Sequence, residues 1–232
     1  MKVLQLAFAC HVYGGMTGYD TSYLDFRSGV STPLDLSSAH ERLQLIKWLN
    51  SWGCRQFAKA YHSKASSAIE RWSTEYDSQI VSPSQDLMHL SDQEIDRTEA
   101  AFEALSDSFA SERIGGANRK IKVRIGPTGA AKILFALRPK SYLPWDIPIR
   151  ENLPERGQAF SYRTFLGRAK QELTELDADC SRLHINLENL PKQIGRSEST
   201  LAKLIDEYYW VTVSRKCPAP PLEEFQKWMK WL

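Results

Sequence analysis

Residues 119–146 read RKIKVRIGPTGAAKILFALRPKSYLPWD, and this stretch decides how the rest of the chain is read. Basic and apolar residues alternate from Arg119 to Ile125, the period of a short strand or an extended lead-in. Gly126-Pro127 breaks the alternation. Pro127 suits a first helical turn, where its missing N–H removes no hydrogen bond. Ala130 to Leu137 is a strong helical run, and Pro139 stops it. A further helical stretch begins at Pro144-Trp145-Asp146.

Charge around this segment is one-sided. From Arg113 to Trp145 there are eight Lys or Arg residues and no Asp or Glu, although the net charge of the chain is only +2. The chain is therefore not a polycation, and any attraction to nucleic acid must be local. The first N–H groups of a helix lack internal partners and lie at the positive end of its dipole. Small residues there, Gly126, Thr128 and Gly129, let a phosphate come close. Lys122, Arg124, Lys132, Arg138 and Lys140 are the expected backbone-phosphate contacts around them, the alternative being a solvated basic face, with Lys132 either a phosphate contact or a solvated residue. The segment lacks the GKS or GKT ending of a P-loop. Asp146 is the first acid after the block. It either caps the next helix, which has Pro148 in its first turn, or does chemistry, activating water or stabilising positive charge on a sugar ring.

Outward from this segment the chain reads as mainly helical. Ser37 or Ser38 with Glu41 opens a helix carrying Leu43, Ile46, Trp48, Leu49 and Trp52, and Gly53 ends it. Lys64 to Gln79 is a second helix. Ser91 to Glu94 is a capping box opening a third, through Phe109. Tyr162 to Leu183, Ser197 to Val213 and Leu222 to Leu232 are helical, the last with Trp228 and Trp231. The apolar segment from Met1 to Cys10 reads as a strand or buried extended segment, too short to span a membrane. Residues 11–37, rich in Gly, Ser, Thr and Asp, read as irregular. Trp48, Asn50, Trp52 and Arg55 have the composition of a base pocket, rings to stack and an amide to read an edge. They fit equally well as a helix end packed into the core. Asp206 to Trp210 either lines the opposite side of a cleft or belongs to the core.

The chain of 232 residues suits one large domain or two small lobes around a sizeable core, and no linker divides it. Cys10, Cys54, Cys180 and Cys217 form no CxxC pair and have no histidine at zinc-ligand spacing, so no metal or cofactor is expected. Reduced thiols and the absence of a secretory pattern point to a cytoplasmic protein without a membrane partner.

Ile125 to Leu134, followed by Pro144-Trp145-Asp146, resembles the helix-hairpin-helix DNA glycosylases. Their signature is a Gly-rich hairpin opening a helix, with an aspartate about twenty residues on, as Asp146 follows Gly126. The resemblance implies a two-lobed helical fold, a hairpin (Gly126, Thr128, Gly129) gripping a DNA phosphate, and a flipped base in the cleft. It implies Asp146 as the catalytic carboxylate and Trp145 beside it in the base pocket, with 119–150 as the hairpin and catalytic segment. Two departures shape the expectation. Arg124 stands where the family hairpin has an earlier glycine. Thr128 stands where bifunctional members carry a lysine, and threonine forms no Schiff base, so base removal without β-lyase activity is expected. The implied role is DNA repair or defence against phages with modified bases. A non-catalytic DNA-binding module and a helical protein-interaction domain are the alternatives.

Overall fold

A computed structural model describes residues 1–153 and 160–229. Its first element corrects the expected N-terminal strand. Val3, Leu6, Cys10 and Tyr13 are all buried, and their spacing of three and four is a helix face. They form α1 (Val3–Met16), whose last turn absorbs Gly14 and Gly15. The region expected to be irregular contains a second helix, α2 (Tyr19–Ser28). Tyr19, Tyr23 and Phe26 recur at helical spacing and meet the rings of Trp48 and Trp52.

α3 (Ala39–Ser51) starts at Ser38, whose Oγ accepts from the N–H of Glu41, and ends before Gly53 at φ +82°. The Glu41 carboxylate does not complete the capping box, because it accepts from Ser31 and from the N–H of Asp35 instead. α4 (His62–Tyr76) follows, its Trp72 indole donating to the Ala101 carbonyl. α5 (Asp92–Asp107) opens with the full reciprocal box of Ser91 and Glu94. It ends two residues short of Phe109, which begins a strand rather than extending the helix.

β1 (Phe109–Ile114) and β2 (Lys120–Arg124) form an antiparallel hairpin, with a bulge between Phe109 and Ser111. β2 leads directly into α6 (Gly126–Leu137), which is buried from Gly129 to Leu137 and runs through the middle of the core. α7 (Ile147–Asn152) starts after Asp146. α8 (Tyr162–Arg182) lies against α5, α9 (Leu190–Gln193) is a single turn, and α10 (Leu201–Tyr209) packs on α1 and α8. The chain then widens into a π-turn (Trp210–Ser214), and α11 (Leu222–Met229) returns to α1. Trp231 lies outside the described residues.

The molecule is thus mainly helical, with one two-stranded sheet among the described residues. The element entering the Gly126 turn is a strand, where a helix-hairpin-helix would have a helix. No described helix is long and apolar enough to cross a membrane.

Candidate active site

α6 and the loop before α7 set the site. Lys132 points inward from α6, where only 6% of its side chain is exposed. Its ammonium lies 2.9 Å from Asp146 Oδ1 and donates to the Trp52 carbonyl at 2.8 Å. Lys132 is therefore not a phosphate contact, and the reason is its place on the buried face of a core helix. Burial works against its charge, but Asp146 and the neighbouring thiol outweigh burial and raise the pKa above that of free lysine. Asp146 occupies the N-cap position of α7, yet its side chain makes no capping hydrogen bond. Its carboxylate is committed to Lys132 and stays partly exposed.

Asp146 and Lys132 open onto a cavity of about 30 Å³. That is room for a water or two and far less than a base requires. Tyr13 from α1, Tyr19 from α2, Trp52 after α3 and Trp210 from the π-turn supply aromatic walls, and Asp206 of α10 supplies a second carboxylate. Tyr13 meets Trp210 edge-on at 5.2 Å between centroids, and Tyr19 meets Trp52 at 5.9 Å. Beneath the walls lies a charge network. Lys203 Nζ is 3.1 Å from Asp206 Oδ2 and 3.3 Å from Glu207 Oε1, and 4.1 Å from the centre of the Tyr13 ring. Arg196 bridges Glu207 and Asp20, each at 2.5 Å. Burial pushes the Asp206 carboxyl up to about 6; the ammonium of Lys203 opposes the shift, and Asp146 adds to it.

Of the expected base-pocket residues, only Trp52 lines this cavity. Trp48 is buried against Phe26, stacked at 4.9 Å. The amide of Asn50 donates to the Phe57 carbonyl, which holds the turn after α3. Arg55 is on the surface. Trp145 points away from Asp146 into a core cluster, stacked on Phe165 at 5.9 Å. Trp48 and Trp52 lie one turn apart with their rings in contact, yet packing leaves only Trp52 at the cavity, and the adjacent Trp145 and Asp146 direct their side chains to different sides. Asp206 and Trp210 do line the cavity, while Tyr209 of the same stretch is core. Tyr13 and Tyr19 were hidden by the glycines around them. The helical spacing of Val3, Leu6, Cys10 and Tyr13 was the signal that could have found Tyr13.

The basic block is also changed by folding. Arg138 is not a surface cation: it is buried, donates to the Val81 carbonyl at 2.6 Å and pairs with Asp77. Arg124 pairs with Asp107 and Lys120 with Glu112. With Lys132 on Asp146, half of the eight cations are matched to carboxylates lying outside the block in sequence. Arg113, Arg119, Lys122 and Lys140 are exposed and make no ion pair among the described residues. The first three belong to the β-hairpin region.

The glycines of the turn have distinct causes. Gly126 has φ +71°, a conformation that costs other residues about 1–2 kcal/mol. Gly129 has no room for a side chain, since a Cβ there would come within 2.7 Å of Gln56 Nε2 and 2.8 Å of Ile125 Cγ2. Gln56 needs that space to donate to the Ile125 carbonyl at 2.6 Å. Thr128 Oγ1 donates to the Trp145 carbonyl at 3.2 Å and so ties α6 to the loop holding Asp146. Cys10, Cys54 and Cys180 are buried thiols, and no described group of His, Cys, Asp and Glu could hold a metal ion. Compared with known proteins, the chain matches no family model, no curated protein and no solved structure.

Proposed function

We propose that the protein is a monofunctional DNA N-glycosylase, with Asp146 as its catalytic carboxylate. The observation that carries this reading is a carboxylate held by Lys132 at an aromatic-walled cavity, one helix downstream of a basic hairpin. A carboxylate in such a setting stabilises an oxocarbenium-like sugar or takes a proton from water, and a water-sized space beside it suits the second task. The rings of Trp52, Tyr19 and Trp210 offer faces for a flipped base. The exposed cations of the hairpin offer attraction to the DNA backbone. The resemblance of residues 125–146 to the helix-hairpin-helix glycosylases supports the same assignment, and Thr128 argues against a Schiff-base step.

The cavity is water-sized, so a base enters only when a wall yields. α2 is the least buried of the walls, with Phe26 its single buried residue, so it is the wall we expect to yield. Tyr19, at its start, is half-buried.

The direct test incubates duplexes bearing a panel of modified bases with the protein, cleaves abasic sites with alkali, and compares wild type with Asp146→Asn. Wild type is expected to give alkali-labile sites, and the variant to lose on the order of 10²–10³-fold. A wild type inactive across the panel, or a fully active variant, refutes the assignment. Salt-sensitive DNA binding without an abasic product assigns a non-catalytic module instead.

A further inference from the structure

Asp146 shares its cavity with a second carboxylate whose surroundings differ from its own. The Asp206 side chain is 7% exposed. Its Oδ2 accepts from Lys203, and its Oδ1 makes no hydrogen bond among the described residues. Lys203 is not its private partner, for the same ammonium also serves Glu207. Glu207 has a second cation in Arg196, Asp20 has Arg196, and Asp146 has Lys132. The Tyr13 ring of α1 lies against Lys203, and the Tyr162 phenol of α8 is occupied in donating to the Leu143 carbonyl. Within the network, three cations (Lys132, Arg196, Lys203) thus face four carboxylates (Asp20, Asp146, Asp206, Glu207). An uncompensated negative charge in such a place is costly, and one bound proton removes it. Glu207 Oε2 is also buried without a partner, but Glu207 draws on two cations through Oε1, whereas Asp206 has only a share of Lys203 and so the weakest claim on a cation.

We propose that Asp206 carries this proton and, on the glycosylase reading, donates it to the departing base as the general acid opposite Asp146. Two carboxylates in one pocket, driven to opposite protonation states by their surroundings, divide acid and base work between them. In the reaction the C1′–N bond breaks and its electron pair passes to the base nitrogen, which takes the Asp206 proton. Water bonds to C1′ through its oxygen and gives a proton to the Asp146 carboxylate. That proton returns to Asp206 through solvent once the base leaves. The sum is sugar–base plus water giving sugar hydroxyl plus free base, with no redox partner. The shift of the Asp206 pKa to about 6 agrees with this assignment.

The test has two arms. The first needs neither substrate nor variant: infrared titration of the wild-type protein with isotope-labelled aspartate. An aspartic-acid C=O band that disappears as the pH rises through about 6 is expected. Asp206→Asn, checked for folding by circular dichroism, should lack it. Absence of the band in wild type, or its persistence in the folded variant, overturns the proposal whether or not the protein cleaves DNA. The second arm measures single-turnover release of a cleavable base and of a more acidic ring-substituted analogue. Asp206→Asn should lose on the order of 10²-fold or more on the poorer leaving group and much less on the acidic one. Asp146→Asn should lose equally on both. Equal losses for Asp206→Asn overturn the general-acid role. A titrating band in a protein that releases no base leaves the proton on Asp206 and removes the glycosylase reading, and the acid role with it.

Discussion

Lys132 Nζ lies 2.9 Å from Asp146 Oδ1 and 2.8 Å from the Trp52 carbonyl oxygen, so one buried ammonium joins α6, the loop before α7 and the turn after α3. That junction ties the candidate catalytic carboxylate, itself partly exposed, to a helix that runs through the core. It also explains why Asp146 does not cap its own helix.

Lys132→Met tests the junction. Removing one partner of a largely buried pair leaves the other without compensation, at a cost of about 3–5 kcal/mol when both are fully buried. Asp146 keeps 26% of its side chain exposed, so a loss nearer 2 kcal/mol is expected. Denaturant unfolding measures it. Combining Lys132→Met with Asp146→Asn should recover part of the loss, because neither charge then remains alone. A double variant whose loss is the sum of the single losses contradicts the coupling.

Neutralising the hairpin should divide its cations by pairing. Lys122 stands opposite Glu112 in the strand register but makes no ion pair among the described residues, whereas Arg124 is held by Asp107. In DNA-binding titrations across salt, Lys122→Ala is expected to reduce the slope of log K against log salt by about 1. Arg124→Ala should reduce it less. The same slope for both variants and wild type removes the hairpin from the interface.

Gly126→Ala should destabilise the protein by about 1–2 kcal/mol, because φ +71° is retained only against steric resistance once a Cβ is present. Thermal unfolding checks it, and a neutral effect shows that the turn adopts another conformation.

Asp206 has a signature in stability as well as in rate. Its folded pKa, about 6, is raised above the ordinary value of 3.8. The folded state therefore binds the proton more tightly than the unfolded chain does. The resulting stabilisation is complete below about pH 4 and is lost as the pH rises to about 6. Wild-type stability measured against Asp206→Asn should fall across that interval. A difference that is flat or rises there contradicts the raised pKa.

Much of the helical framework was legible. The capping box of Ser91 and Glu94, the cap at Ser38, Pro127 in a first turn and Gly53 at a helix end are local signals, set by hydrogen bonds within a few residues. α1 is not legible locally, because its apolar residues lie next to glycines, ordinarily turn residues, that here only occupy its last turn. Trp48 and Trp145 were drawn towards a pocket by composition, and packing turned both into the core.

By itself, the sequence determined that the chain is mainly helical, that Pro127 and Gly126 start a helix after a strand-like basic run, and that Asp146 begins the next one. Those features follow from backbone conformation and periodicity, which act over one or two turns. Only the tertiary structure decided which charges meet. It took Lys132 and Arg138 out of a basic block and buried them, because α6 is a core helix and charged residues on it and at its C-cap must find partners there. It brought Tyr13, Trp52, Asp146 and Asp206 from four separate parts of the chain to one cavity. Burial and ion pairing depend on what lies across space, and no local pattern in residues 119–146 carries that information.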